Sequence, residues 1–174
     1  MQSVNDEKLV STICGATDEV FSTMLGIPVE TGPHRVEKGG SQPFDGVIAL
    51  VGLAGSWVGA GRISCSAALA CRLSGALLCA EYNSVNEDVL DAMAELTNMI
   101  IGNVKSTLED ELGPMGLSIP TVIFGRNYQA RNSGVKQWVV IPFHCDSELL
   151  EIRFALMPDG QTEMQKHSVL QDAI

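Results

Sequence analysis

The 174-residue chain is 45% hydrophobic and 18% charged, with 21 acids against 11 bases and a formal net charge of -10. That is enough apolar material for the core of one domain, which argues against a disordered chain and against a scaffold that needs disulfide staples. The acidic balance argues against a partner read through its phosphate backbone, because such binding is driven by Lys and Arg.

Residues 5–25 carry Leu9, Val10, Ile13, Thr17, Val20, Phe21, Met24 and Leu25 at helical spacing, and Gly26 with Pro28 ends the pattern. Residues 27–45 are rich in Gly, Pro and charge and read as a loop, with room for a short strand. Two apolar, β-prone runs follow, 46–53 and 56–64, with Ala54 and Gly55 between them as a hairpin signal. Residues 66–79 are rich in Ala and Leu and read as a short, mostly buried helix.

The strongest element spans residues 85–112. Ser84, Val85, Asn86 and Glu87 have the S-x-x-E form of a capping box, in which side chains satisfy the backbone N–H groups left unpaired at a helix start. Gly113 and Pro114 supply the matching stop. Three strand-like runs come next, 120–125, 135–143 and 149–157, separated by short polar turns. The last stretch, 158–174, is polar without a clear period and reads as a tail. No linker divides the chain, so the expectation is a single α+β domain over residues 1–157, with a mostly antiparallel sheet packed against long helices.

Cys14, Cys65, Cys71, Cys79 and Cys145 are odd in number and form no C-x-x-C pair. They fit neither a disulfide framework nor a zinc ribbon, and read as buried free thiols in a reducing cytoplasm. Asp6, Glu7 and Lys8 interrupt any signal-peptide core. The best membrane candidate, residues 46–61, is glycine-rich and shorter than the ~18–20 residues a spanning helix needs. A cytoplasmic protein that binds no membrane is therefore expected.

On the long helix, Val85, Val89, Met93, Leu96, Ile100, Val104 and Leu108 recur at steps of three or four and form one apolar stripe. Asp91, Glu95, Asn98, Gly102 and Lys105 recur at the same steps on the opposite face. A polar face opposite a core face is what any surface helix shows. The content of this one is unusual, because Asn is a poor helix former and Gly costs about 1 kcal/mol against Ala. Gly102 also removes bulk beside Asn98, so a large partner could approach closely. An exposed carboxylate and carboxamide one turn apart on a rigid rod suit catalysis or docking.

Asp91, Glu95, Asn98, Gly102 and Asn103, with Pro120 opening a strand downstream, resemble the signature of the CheC/CheX/FliY phosphatase family. The order of elements is similar too, from the opening helix ending in FSTMLGIPVE through the hairpin VIALVGLAGSWVGAGRIS and the short helix after it. The resemblance covers roughly residues 5–157, and the interval from Asn98 to Pro120 is slightly shorter than the family pattern. CheC-type members can carry a second E-x-x-N site. Here the first helix offers Asp18, Glu19 and Thr23 but no Asn at the needed offset, so a single site is expected, as in CheX-like members.

The resemblance implies a CheC-like fold and a phosphatase acting on the phospho-aspartate of a CheY-like receiver domain. It implies that Asn98 holds a water in line with the acyl phosphate and that Glu95 pairs with the receiver's lysine. Asp91 would be at most a helper of orientation, and Pro120 and Gly102 would shape the site. Mg²⁺ would belong to the receiver, with no metal or other cofactor of the chain's own. The resemblance also implies a homodimer joined through its sheets. The rival reading is a non-catalytic CheX-like module that binds a receiver without hydrolysing it. A flagellar-switch structural protein fits less well, since the chain is too short to hold a fused switch-binding domain.

Gly52, Gly55, Gly59 and Gly61 lack the G-x-G-x-x-G order of a dinucleotide loop and read as hairpin and close-packing glycines. His34, His144 and His167 are scattered, and His144, Cys145 and Asp146 read as a turn and not a metal corner. No nucleophile elbow is present. Trp57 and Trp138 lie in strand-like runs and read as core or interface residues.

Overall fold

The computed structural model describes residues 5–38, 43–129 and 137–159. The chain opens with α1 (Asp6–Val20), whose first turn is capped by Asn5. One π-helical turn, Phe21–Leu25, continues it, and Gly26 ends it in the left-handed region at φ 62°. The loop that follows contains two short strands, β1 (Glu30–Thr31) and β2 (Arg35–Lys38). Then come β3 (Phe44–Gly55), β4 (Trp57–Cys65), α2 (Ala67–Leu78) and α3 (Glu87–Leu112). The chain continues through β5 (Met115–Leu117), β6 (Thr121–Tyr128), β7 (Gln137–Cys145) and β8 (Glu148–Pro158). The polar tail expected beyond residue 157 lies, from residue 160, outside the described residues.

All eight strands join one sheet in the order β1-β7-β8-β4-β3-β5, with β2 also on β7 and β6 also on β3. Every pairing is antiparallel. The alternation of side chains sends Val47, Leu53, Ile63, Cys65, Val139, Ile141, Phe143, Leu150, Ile152 and Phe154 to one face. There they merge with the apolar faces of α1, α2 and α3 into a single core. The helices thus form one layer and the sheet the other.

Two expectations shift. The helix start is capped at Asn86, whose Oδ1 accepts from the Val89 N–H at 3.0 Å, and not at Ser84. Ser and Asn cap equally well, and the choice falls where the first core residue must be buried: Val89 is fully buried whereas Val85 is only half-buried. The second shift is the strand β5, in what reads as a plain loop after Gly113. Met115 and Leu117 pair with Gly55 and Leu53, and the Ser56 N–H donates to the Pro114 carbonyl at 3.0 Å. The β3–β4 hairpin tip, at Gly55 and Ser56, is therefore clasped.

The membrane candidate at 46–61 is the β3–β4 hairpin, and no helix among the described residues is long and apolar enough to cross a membrane. Cys65, Cys71 and Cys145 are buried, and burial pushes their thiols up. Cys14 is half-buried, and Cys79 departs from the expectation by being exposed at the end of α2. Trp57 is buried and Trp138 half-buried.

The cap assignment predicts that Asn86→Ala costs about 1 kcal/mol of stability, while Ser84→Ala is neutral, both read by urea unfolding.

Candidate functional site

The position of α3 is set by where it touches the sheet. Its buried face comprises Val89, Met93, Leu96, Ile100, Val104 and Leu108, as the periodicity predicts, widened by Ala92, Thr97 and Ile101. Ile101 seats on β4 at Gly61, where an added Cβ would lie 2.5 Å from its Cδ1 and 2.7 Å from its Cγ1. The absent side chain therefore lets the helix sit close. Thr97, fully buried, donates its hydroxyl to the Met93 carbonyl at 2.7 Å and so needs no outside partner.

Burial of that face leaves the opposite stripe outward. Asp91 and Glu95 are exposed and Asn98 is half-buried. None of the three makes a side-chain hydrogen bond among the described residues, and the one buried side-chain polar atom without a partner there lies elsewhere. The Asn98 carboxamide is therefore open to solvent. Glu95 and Asn98 stand about 4.5 Å apart along the helix axis. The first turn of α3 carries Glu87 and Asp88, which favourably oppose the helix dipole.

The stripe changes character beyond Asn98. Lys105 is not a docking group, since its Nζ donates to Glu109 Oε2 at 2.8 Å and to the Met115 carbonyl at 3.2 Å. Glu109 completes the clamp by accepting from the Met115 N–H at 2.8 Å. The ion pair and the backbone bond together tie β5 to the end of α3. From β5 the chain is held again at Ser118, whose N–H donates to the Gly52 carbonyl and whose Oγ accepts from the Gly52 N–H, both at 2.9 Å. Pro120 then precedes Thr121, the first residue of β6, which pairs with Leu50. The structure thus places Pro120 immediately before β6, three residues after the clamped β5.

Gly102 faces Leu117, where an added Cβ would meet Leu117 Cδ1 at 3.7 Å, an ordinary contact. The fold therefore does not require glycine at position 102, in contrast to position 61. Two large apolar residues that sequence reading missed are exposed in and just before β6. Ile119, two residues beyond Leu117, is 88% exposed, and Phe124 of β6 is 50% exposed. Phe124 pairs with Val47, so it points to the helix side of the sheet. No sequence signal marks either: Phe124, in a β-prone run, reads as core, and Ile119 lies in a stretch read as a plain loop.

Among the described residues no three His, Cys, Asp or Glu groups converge on a metal-sized site. His144 and Cys145 lie on β7, one exposed and the other buried, and Asp146 pairs with Arg72 at 2.5 Å. The α3 stripe offers an acid and an amide on a rigid support, which can dock a basic group and orient a water but cannot act as a strong nucleophile.

A family model described as "Chemotaxis phosphatase CheX" matches residues 47–144, more than half of the chain. The "CheY-P phosphatase CheX" of Thermotoga maritima is 28% identical over 131 residues, covering 75% of this chain and 84% of the relative. The crystal structure of a chemotaxis protein CheX from Desulfovibrio desulfuricans superposes with a TM-score of 0.76 at 26% identity, covering 86% of this chain and 99% of that one. A CheX-CheY-BeF3-Mg²⁺ complex from Borrelia burgdorferi superposes with a TM-score of 0.72, also at 26% identity, over 85% of this chain and 97% of that one.

The two glycines should behave oppositely. Gly102→Ala should raise stability by about 0.5–1 kcal/mol, a gain of roughly 1–4 °C in melting temperature. Gly61→Ala should cost about 1–3 kcal/mol through overpacking against Ile101, and calorimetry reads both. The Lys105 ammonium, and after it the Met115 N–H, hold the Glu109 carboxyl below its ordinary value of 4.5. A carboxylate lowered by folding stabilises above its unfolded pKa and loses that contribution as pH falls through the folded value. Wild type should therefore exceed Glu109→Gln in stability at neutral pH, with the difference fading below pH 4.5 in unfolding measured across a pH series.

Proposed function

The chain belongs to the chemotaxis phosphatase CheX family, and from that premise we propose that α3 is the element with which it hydrolyses the aspartyl phosphate of a CheY-type receiver domain. The observation that carries this reading is the pairing of exposed Glu95 with solvent-open Asn98 on the face of α3 turned away from the core. Hydrolysis of an acyl phosphate needs a water placed in line and charge neutralised, with little covalent work from the enzyme. Asn98 suits the first task, because a carboxamide both donates and accepts hydrogen bonds and is not consumed. Glu95, one turn earlier, would pair with a lysine of the receiver and fix the register of docking. Asp91, a further turn back and exposed, would steer the approach of a basic surface.

Pro120 and Gly102 would act on the shape of the docking face and not on the chemistry. The Mg²⁺ would be the receiver's own, and the chain's residues need supply only the water and the ion pair. Ile119 and Phe124 would form an apolar rim that loses water when the receiver seats. This chemistry belongs in the cytoplasm, where receivers are phosphorylated. The outer edge of β6 pairs with nothing among the described residues, and an open edge strand suits sheet-to-sheet joining of two copies. We therefore propose a homodimer as well.

The test is decay of a phosphorylated CheY-type receiver with wild type and variants. Asn98→Ala should slow catalysed decay about 100-fold, the size seen when a positioning group is removed, while receiver binding persists. Glu95→Ala should weaken receiver binding about tenfold through loss of a charged contact. Binding by wild type without faster decay would instead identify a non-catalytic module. Sedimentation of the free chain at micromolar concentration should give twice the 18.6 kDa chain mass.

A further inference from the structure

The outer face of the sheet, away from the helices, carries a row of side chains that the phosphatase reading does not use. Arg62 on β4 lies directly opposite Arg153 on β8, Arg153 lies opposite Val140 on β7, and Val140 lies opposite Arg35 on β2. Like charges directly opposite one another destabilise a sheet, so each arginine needs a carboxylate. Two of the three have one.

Arg35 binds Glu37 Oε1 at 2.8 Å and Glu151 Oε2 at 2.6 Å. Arg153 binds Glu37 Oε2 at 2.7 Å and Glu151 Oε1 at 2.7 Å. These four bonds close a ring of two arginines and two glutamates in which every carboxylate oxygen is already taken. Arg62 is left out. Its Nε is buried and is the one such side-chain atom without a hydrogen-bond partner among the described residues. Burial, and after it the nearby Arg153, pushes its guanidinium down. A buried donor without a partner is destabilising, more so when charged, and an apolar residue would avoid that cost.

Arg62 lines a cavity of about 940 Å³ together with Ser64, Ser66, Ser147, Glu148 and Asp45, among others. Two further acids at its wall each use one oxygen locally: Asp45 Oδ1 accepts from the Asn127 N–H at 2.5 Å, and Glu148 Oε1 accepts from the Ser66 hydroxyl at 2.8 Å. Ser66 is also the N-cap of α2, so the positive end of a 12-residue helix borders the same cavity. A guanidinium whose Nε has no partner among the described residues, the capped N-terminal end of α2 and Ser147 thus border one open volume. We propose that this cavity binds a small ligand bearing an oxyanion, a carboxylate or a phosphate, with Arg62 as the anchoring residue. The ligand would complete the charge pattern that the ring of four leaves unfinished. The site lies on the face of the sheet opposite α3, so its occupant need not compete with a docked receiver.

The experiment titrates the full chain with citrate and separately with inorganic phosphate, holding ionic strength fixed with chloride, and follows the Arg62 Nε–Hε resonance by NMR alongside calorimetric binding. The expected result is a saturable shift of that resonance, with the dissociation constant weakened at least about tenfold in Arg62→Gln and less in Arg62→Lys. A response to citrate alone assigns a carboxylate ligand, whereas a comparable response to phosphate assigns a phosphate-bearing one. Wild type that shows no saturable shift overturns the proposal, as does an unchanged affinity in Arg62→Gln. Should Arg62→Gln fold poorly, the wild-type resonance alone decides between these results. If Arg62→Gln instead turns a dimer into a monomer with no anion response in wild type, the guanidinium faces a second copy and the ligand site is refuted.

Discussion

Everything at the proposed catalytic face depends on how closely α3 lies on the sheet. The contact that permits this is Ile101 against the bare backbone of Gly61, where even a methyl group would collide with the whole isoleucine side chain. With that seat fixed, the rotation of the helix is fixed by burial of Val89 through Leu108, and Glu95 and Asn98 have no face left but the outer one. A water-orienting residue requires a rigid support more than an unusual pKa, and a 26-residue helix packed along one side supplies it.

The clamp of Lys105, Glu109 and Met115 extends the same logic to the loop beyond the helix. It converts a stretch with few apolar residues into a strand fixed on α3 at one side and on β3 at the other. Ile119, Pro120 and β6 follow that strand, so the rim of the proposed docking face is positioned by a partly buried ion pair and by backbone pairing. On the proposed reading, exposed Ile119 and Phe124 and the acidic face of α3 would supply the mixture of anchor and charge by which a transient partner is recognised.

The two faces of the sheet divide the chain's tasks. One carries the core on which α3 rests. The other carries an ion network in which two arginines share two glutamates and a third is left over. A sheet selected only for stability would place an apolar or neutral residue at position 62.

The sequence by itself determined the α+β class, the extent of the long helix, the hairpin of β3 and β4, and the opposition of Glu95 and Asn98 to the core. All of these follow from local periodicity and from turn chemistry, which act between residues close in the chain. It did not determine the cap at Asn86, because Ser84 and Asn86 are equal in local preference and only the burial of Val89 separates them. Strand β5 was invisible for a similar reason: three residues are too few to show a period and become a strand only when Gly55 and Leu53 offer an edge. The exposure of Phe124 and the orphaned Arg62 were likewise decided by tertiary structure alone. Register across β2, β7, β8 and β4 brings together charges up to 118 positions apart in the sequence, Arg35 and Arg153, and no local rule reaches that far.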